Sequence, residues 1–241
     1  TTLVQPGETL SIMLILDDGQ VAFGDCMDVI LSGAAGRDPL FRAAEHRPLV
    51  EGVVRDRLLG SDCTTFRALA EEFDAARFKD RRLHTAIRYG LTQALLNAAA
   101  LASKETMTEV VAREYQCVIS PGPIPILSMC TTKEREQVDK MILKRADILP
   151  HGDFIRVEED LGPDAHKMSD YVQWVAERIE HLGGTDYKPT LHIDVYGTLG
   201  EFFGMDLDRI ADFLGHLEQQ ANGLRLLVET PIIAETQDAQ I

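Results

Sequence analysis

The first hydrophobic residues of the chain are arranged as in a β-hairpin. Residues 10–16 are mainly apolar and β-prone, residues 17–20 read Asp-Asp-Gly-Gln, and residues 21–23 resume the apolar run. Two β-prone runs joined by a short turn sequence predict a pair of antiparallel strands. The chain is therefore expected to open with an antiparallel sheet.

The segments that follow carry apolar residues at the three- and four-residue spacing of amphipathic helices. Thr64 or Thr65 can cap the first of these helices. The apolar face of the first helix contains Phe66, Leu69, Ala70 and Phe73, and that of a longer one contains Ile87, Leu91, Ala94, Leu95, Ala98 and Leu101. Strands first and helices afterwards predict an α+β arrangement for this half of the chain.

A proline-rich segment separates the first half from one with a different pattern. Residues 120–125 contain three prolines and a glycine, which favour a linker. We therefore predict two domains, residues 1–120 and residues 121–241. In the second, amphipathic helices alternate with short apolar runs at residues 126–127, 141–143, 190–195 and 224–228. This alternation predicts an α/β domain of parallel strands with right-handed crossovers.

Parallel strands of this kind form either a doubly wound sheet or a (β/α)8 barrel. A G-x-G-x-x-G motif is missing from the first strand-to-helix turn, which weakens the dinucleotide-binding alternative. Asp194 lies at the end of one apolar run, and Glu229 follows the next run, 35 residues later. Barrel active sites lie at this end of the strands, so the positions of the two acids favour the barrel.

Asp194 and Glu229 also suggest chemistry, because neighbouring parallel strands bring their ends together. Two convergent carboxylates repel each other unless a cation lies between them. Mg²⁺ or Mn²⁺ suits such a site, since hard divalent ions prefer carboxylate oxygens. The alternative is that each acid caps the following helix or binds backbone amides.

Histidines near these runs are the second kind of candidate. His192 lies two residues before Asp194 and therefore points to the same side of its strand, where we expect a hydrogen-bonded core residue. His151 follows the apolar residues 148–150. Because imidazole titrates near neutral pH, His151 is a candidate general acid or base. A structural role is the alternative.

Composition narrows the classes of function. The net charge is −15, so a polyanion such as nucleic acid would be repelled. The four cysteines have neither the close pairing of a zinc knuckle nor the density of a disulfide scaffold. The N-terminus lacks the pattern of a signal peptide, and apolar runs fall short of the roughly 20 residues of a membrane helix. We expect a cytoplasmic protein without nucleic-acid or membrane partners.

Several sequence strings together resemble the methylaspartate ammonia-lyase family of the enolase superfamily. They are Gly-Asp-Cys at 24–26, the glycine-rich segment 32–41, Pro-Ile-Pro at 123–125, Val-Asp-Lys-Met at 138–141, Asp-Ile-Leu-Pro-His at 147–151 and Leu-His-Ile-Asp-Val-Tyr-Gly at 191–197. The resemblance implies an N-terminal α+β capping domain over residues 1–120. It also implies that residues 121–241 form an enolase-type (β/α)8 barrel as far as its fourth strand.

The same resemblance implies a reaction and roles for particular residues. Members of the family use Mg²⁺ to eliminate ammonia reversibly from threo-3-methylaspartate, giving mesaconate, and they form homodimers. Asp194 and Glu229 correspond to two of three carboxylate ligands of the metal, and His151 to a histidine that acts on the substrate as acid or base. We expect the third carboxylate and the principal lysine base in later strands, beyond Ile241.

Two substrate-binding positions depart from the family pattern. Ile30 and Met129 stand where we expect glutamines that donate hydrogen bonds to a substrate carboxylate. Each lost bond to a charged group costs roughly 1.5–3 kcal/mol. One alternative is therefore a related lyase or racemase that acts on a more apolar acid. Another is an inactive fragment or a non-catalytic homologue, because the third ligand and the lysine are missing from residues 1–241.

Overall fold

A computed structural model describes residues 7–28, 32, 33, 36–78 and 80–240, except for the side chains of residues 237 and 240. The chain divides into two compact units, Thr1–Pro121 and Gly122–Ile241, at a point within the proline-rich segment 120–125. Within the described ranges, none of the helices is long and apolar enough to cross a membrane.

The first unit opens with the predicted hairpin, which is confirmed. Strands β1 (Thr9–Ile15) and β2 (Val21–Met27) pair antiparallel, with Ile12 opposite Gly24. The helices are α1 (Ala43–Leu49), α2 (Arg55–Leu58), α3 (Arg67–Ala75), α4 (Thr85–Ser103) and α5 (Met107–Tyr115), with a π-helical segment at Val50–Val54 and a short pair, β3 (Arg77–Phe78) and β4 (Arg81–Arg82). The predicted apolar faces of α3 and α4 supply much of the core of this unit, including Phe73, Ile87 and Leu91.

Strand β2 packs unusually closely on helix α4. A Cβ atom added to Gly24 would overlap the carbonyl oxygen of Gly90, and one added to Gly90 would lie 2.5 Å from the backbone nitrogen of Cys26. Glycine at both positions therefore permits the close approach of strand and helix, since any side chain would push them apart.

The second unit contains the predicted parallel sheet, which is confirmed. Its strands β5 (Ile148–Asp153), β6 (Thr190–Asp194) and β7 (Leu226–Glu229) lie in the order β5-β6-β7. Residues 126–130 run along the outer edge of β5, where the Ser128 and Cys130 amides donate to the carbonyls of Ile148 and Pro150, each at 2.9 Å. The helices are α6 (Arg135–Leu143), α7 (His166–Gly183), α8 (Thr198–Phe202), α9 (Leu207–Gln220) and α10 (Gln237–Gln240), with a π-helical segment at Val157–Leu161.

The two faces of β6 are both buried but differ in polarity. Leu191 and Ile193 join the apolar core formed with the helices of this unit. His192 and Asp194 lie on the opposite face, and they are 2% and 5% exposed. Because side chains alternate along a strand, the helices cover one face while polar groups collect on the other.

Two differences from the sequence prediction have an identifiable cause. Residues 141–143, predicted as a strand, form the end of α6, where Val138 and Ile142 are buried at helical spacing. A short apolar run does not distinguish strand from buried helix. Helix α5 was not predicted. Its start is marked by a capping box, in which Thr106 and Glu109 exchange side-chain to backbone hydrogen bonds, and the Thr-x-x-Glu pattern could have revealed it.

Candidate metal centre

Acidic residues stand in one row across the carboxyl ends of the three strands. Asp153 of β5 lies opposite Asp194 of β6, which lies opposite Glu229 of β7. Asp194 and Glu229 are thus at neighbouring strand ends, as the hydrophobic pattern predicted. Asp153 was not predicted as a candidate, and its carboxylate accepts a hydrogen bond from the Thr132 amide at 3.0 Å.

His151 reaches this row through an irregularity in β5. The register with β6 shifts between Pro150 and Gly152, so His151 is the extra residue of a β-bulge. Its φ of 59° lies in the left-handed region, which is uncommon for a residue with a side chain and costs of order 1–3 kcal/mol. The bulge turns the ring of His151 inward, and its Nε2 lies 3.9 Å from Oδ2 of Asp194.

Gly152 allows the backbone of the bulge to rest on an aromatic ring. A Cβ atom at this position would lie 2.5 Å from Cε1 of Tyr171 and 3.1 Å from its hydroxyl. Tyr171 belongs to α7 and packs edge-on against Phe154. Its hydroxyl is buried and has no hydrogen-bond partner among the described groups. The ring of Tyr171 therefore supports the backbone that carries His151.

His192 connects the two sides of the cluster. Its Nδ1 lies 3.1 Å from Nδ1 of His151, and its Nε2 lies 3.1 Å from Oε2 of Glu229. Ligand atoms of His151, His192 and Glu229 all lie within 4.8 Å of one another. The prediction that His192 is a hydrogen-bonded buried residue is confirmed, but its partners are site residues, which strand alternation alone does not identify.

Burial and mutual charge shift the titration of the interior residues. The pKa of Asp194 is raised, chiefly by burial and also by the negative charge of Glu229, against the opposing effect of the hydrogen bond from the Tyr196 amide. The pKa of His192 is lowered, first by burial and then by the nearby His151. Both shifts disfavour the charged forms, so a bound cation would restore the carboxylate of Asp194.

These donors suit a hard divalent cation. Asp194 and Glu229 offer carboxylate oxygens from adjacent strands, and Mg²⁺ favours such ligands in octahedral sites. The raised pKa of Asp194 is an independent sign that its charge lacks compensation. The chemistry of the donor set therefore fits magnesium.

His151, Ile30 and Met129 are the predicted substrate-binding residues, and the structure describes the first and the last of them. Met129 lies between the two residues whose amides pair with β5, and it is 62% exposed. It therefore stands at the edge of the sheet that is opposite to β7. Ile30 lies outside the described residues.

Comparisons of the sequence with family models and with known proteins point to the same family. Residues 1–116 match the family model described as methylaspartate ammonia-lyase N-terminus, and residues 118–241 match the one described as methylaspartate ammonia-lyase C-terminus. The chain is 46% identical to the methylaspartate ammonia-lyase of Citrobacter amalonaticus and 43% identical to that of Clostridium tetanomorphum, in each case over 242 residues. Both alignments cover 100% of this chain and 59% of the relative, so the chain spans little more than half of their length.

Solved structures give the same result. A magnesium complex of β-methylaspartase from Clostridium tetanomorphum superposes with a TM-score of 0.80 and 44% identity, over 97% of this chain and 57% of that one. The Citrobacter amalonaticus enzyme containing (2S,3S)-3-methylaspartic acid superposes with a TM-score of 0.83 and 46% identity, over 93% of this chain and 55% of that one. Because the two family models together match nearly all of its residues, the chain belongs to the methylaspartate ammonia-lyase family.

Proposed function

We propose that the whole protein is a Mg²⁺-dependent carbon–nitrogen lyase that eliminates ammonia from threo-3-methylaspartate to give mesaconate. The observation that carries this proposal is the convergence of Asp194, Glu229 and His151 at one end of the sheet, in a chain of this family. A magnesium complex of one relative and bound methylaspartic acid in another support both the metal and the substrate.

Asp194 and Glu229 are the residues that would hold the magnesium ion. Asp194 is buried and oriented by the Tyr196 amide, whereas the side chain of Glu229 is 49% exposed and can adjust to a ligand. Bound there, Mg²⁺ supplies the positive charge that stabilises a substrate carboxylate as negative charge develops on it. The third ligand expected for the family belongs to a later strand.

His151 is the residue of this chain that we assign to proton transfer. In the reaction a proton leaves C3, the C2–N bond breaks, and the electron pair of the C–H bond becomes the new double bond as ammonia departs. The bulge holds the His151 ring beside Asp194, and His192 fixes it from the other side through the contact between their Nδ1 atoms. A ring held by two neighbours is positioned to act on one face of the substrate.

The finer architecture is part of the same proposal. We assign residues 1–120 to a capping domain and residues 121–241 to the first half of a (β/α)8 barrel. Parallel strands in sequence order, with helices between them, support this assignment. Both edges of the sheet carry exposed apolar side chains, including Leu127 and Leu227, which further strands would cover.

We also propose that the protein is a cytoplasmic homodimer that acts on a small carboxylate. The four cysteines, all of which are described, are unpaired, and free thiols are usual in a reducing compartment. The dimer rests on the family resemblance alone. Light scattering after size-exclusion chromatography tests it, and a monomeric mass would contradict it.

The activity is tested with the purified protein at its full natural length. Mesaconate is an unsaturated diacid, so its formation from methylaspartate should raise the ultraviolet absorbance when Mg²⁺ is present. Chelation with EDTA should abolish the signal and added Mg²⁺ should restore it. If absorbance does not rise in a folded, metal-loaded sample, the proposed reaction is wrong.

A further inference from the structure

The magnesium ligands are accompanied by a second set of metal-binding atoms. His151, His192 and Glu229 offer two imidazole nitrogens and one carboxylate oxygen, all within 4.8 Å of one another. A tetrahedral ion with bonds of about 2.0–2.1 Å holds its ligand atoms roughly 3.3–3.4 Å apart. His192 lies 3.1 Å from each neighbour, but through different nitrogens, Nδ1 towards His151 and Nε2 towards Glu229. One ion can bind only one of these nitrogens, so one pair of ligand atoms already has the required spacing and a side-chain rotation must bring in the third.

Two nitrogens and one oxygen select a different class of cation from two carboxylates. Imidazole suits Zn²⁺, Co²⁺ and Ni²⁺, whereas Mg²⁺ prefers oxygen ligands and keeps several waters. Three protein ligands with a fourth position open to solvent are also typical of zinc sites that bind a further molecule. The composition of this second set therefore favours a transition metal.

The fold holds two of these ligands in place and leaves the third adjustable. His192 is almost completely buried on the central strand β6, and His151 is 13% exposed on the bulge of β5. Glu229 lies on β7, and its half-exposed carboxylate can turn. Rotation of one side chain can therefore bring Glu229 either to the histidines or to Asp194.

We propose that His151, His192 and Glu229 form a second metal site, for Zn²⁺, Co²⁺ or Ni²⁺, which shares Glu229 with the magnesium site. The two sites compete for the carboxylate of Glu229, which can turn either to the histidines or to Asp194. Transition-metal binding itself does not depend on the proposed reaction. Only its consequence, inhibition through the capture of His151, rests on the proposed function.

The test uses Co²⁺ as a spectroscopic probe of the metal-free protein at its full natural length. Four-coordinate Co²⁺ absorbs visible light much more strongly than six-coordinate Co²⁺, so the spectrum distinguishes the histidine set from the carboxylate set. We expect the intense spectrum in the wild-type protein. His192→Gln should lose it, with Co²⁺ affinity weakened more than about tenfold, the scale on which even supporting groups alter metal affinity.

Two matched variants separate the sites. Asp194→Asn should keep the intense Co²⁺ spectrum while losing Mg²⁺ affinity, because Asp194 belongs to the carboxylate set only. His216→Gln, on the exposed surface of α9, should change neither. A weak six-coordinate spectrum in the wild type, or equal loss of Co²⁺ affinity in His192→Gln and Asp194→Asn, would overturn the proposal.

A second measurement keeps the proposal open to refutation if His192→Gln does not fold. Nitrogen-15 spectra of the wild-type histidine rings, recorded with and without Zn²⁺, should show large shifts at His151 and His192 and none at His216. Unchanged resonances of His151 and His192 at saturating Zn²⁺ would refute the site, whatever the catalytic activity of the protein.

Discussion

The carboxyl end of the central strand and the ends of the edge strands of the parallel sheet differ in how deeply their side chains are buried. On β6, between two neighbouring strands, His192 and Asp194 are buried and their pKa values are shifted towards the neutral forms. At the edges, Glu229 of β7 and Met129 beside β5 are largely exposed. Residues at the same level of one sheet thus meet different environments, because burial depends on the number of flanking strands. Central residues are held by strands on both sides, whereas the further strands that we propose would lie beside the edge residues.

The largest expected effect comes from removing the central carboxylate. Asp194→Asn should lower kcat/KM by about 10³-fold, since the loss of one preorganised electrostatic group in an active site costs 10²–10³ or more. Mg²⁺ affinity, measured by calorimetry, should fall in parallel. Asp186→Asn is the matched control, because Asp186 lies at the surface in an ion pair with Arg145. An Asp194→Asn enzyme with nearly normal kcat/KM would remove Asp194 from the magnesium site.

At the edge of the sheet beside β5, a polar substitution should increase the activity towards methylaspartate. Met129→Gln should raise kcat/KM for methylaspartate about tenfold or more, because a restored hydrogen bond to a charged group contributes roughly 1.5–3 kcal/mol. Met107→Gln, at a half-exposed methionine in the first unit, is the control. If Met129→Gln leaves this value unchanged while a more apolar acid is a better substrate, the alternative lyase or racemase reaction is favoured.

The contact between the bulge of β5 and the ring of Tyr171 can be tested through its effect on stability. Gly152→Ala should lower the free energy of unfolding by about 1–3 kcal/mol, because its Cβ would collide with the ring of Tyr171. Gly215→Ala is the opposite control. Gly215 lies inside α9 with open space around it, so alanine should stabilise the helix by roughly 0.5–1 kcal/mol. Urea unfolding measures both, and equal midpoints for the two variants would exclude the steric role.

The smallest expected effect concerns the pH dependence of the metal-free protein. Asp194 has a raised pKa in the fold, so its ionisation destabilises the folded state as pH rises from its ordinary pKa of 3.8 through the raised value. Asp194→Asn should therefore raise the urea midpoint at neutral pH, and the gain should disappear below about pH 3.8, where the wild-type carboxyl is protonated in both states.

Saturating Mg²⁺ should reverse the order of the two urea midpoints at neutral pH, so that the wild type becomes more stable than Asp194→Asn. The ion stabilises only the wild type, because a ligand that binds the native state alone adds to its stability. Without metal and at neutral pH, the urea midpoint of Asp194→Asn should exceed that of the wild type. An equal or lower midpoint would show that burying the charge of Asp194 does not destabilise the fold.

Much of the secondary structure could be predicted, because hydrophobic periodicity reports which face of an element is buried. The hairpin, α3, α4, α7, α9 and the strands β6 and β7 follow from it. The same alternation placed His192 and Asp194 on one side of β6. The strand assigned to residues 141–143 was wrong, because three apolar residues fit a buried helix end equally well.

The position of Asp194 and Glu229 at neighbouring strand ends could be predicted from the sequence alone, because each residue follows an apolar run. The partners that complete the cluster could not. The contacts of His151 with His192 and Asp194 require the bulge in β5, a one-residue shift of register that leaves no mark in the hydrophobic pattern. Only the fold shows that Gly152 rests on Tyr171 and that Asp194 is buried while Glu229 is exposed. Residue order sets local periodicity, whereas distance and burial depend on segments far apart in the chain that pack together.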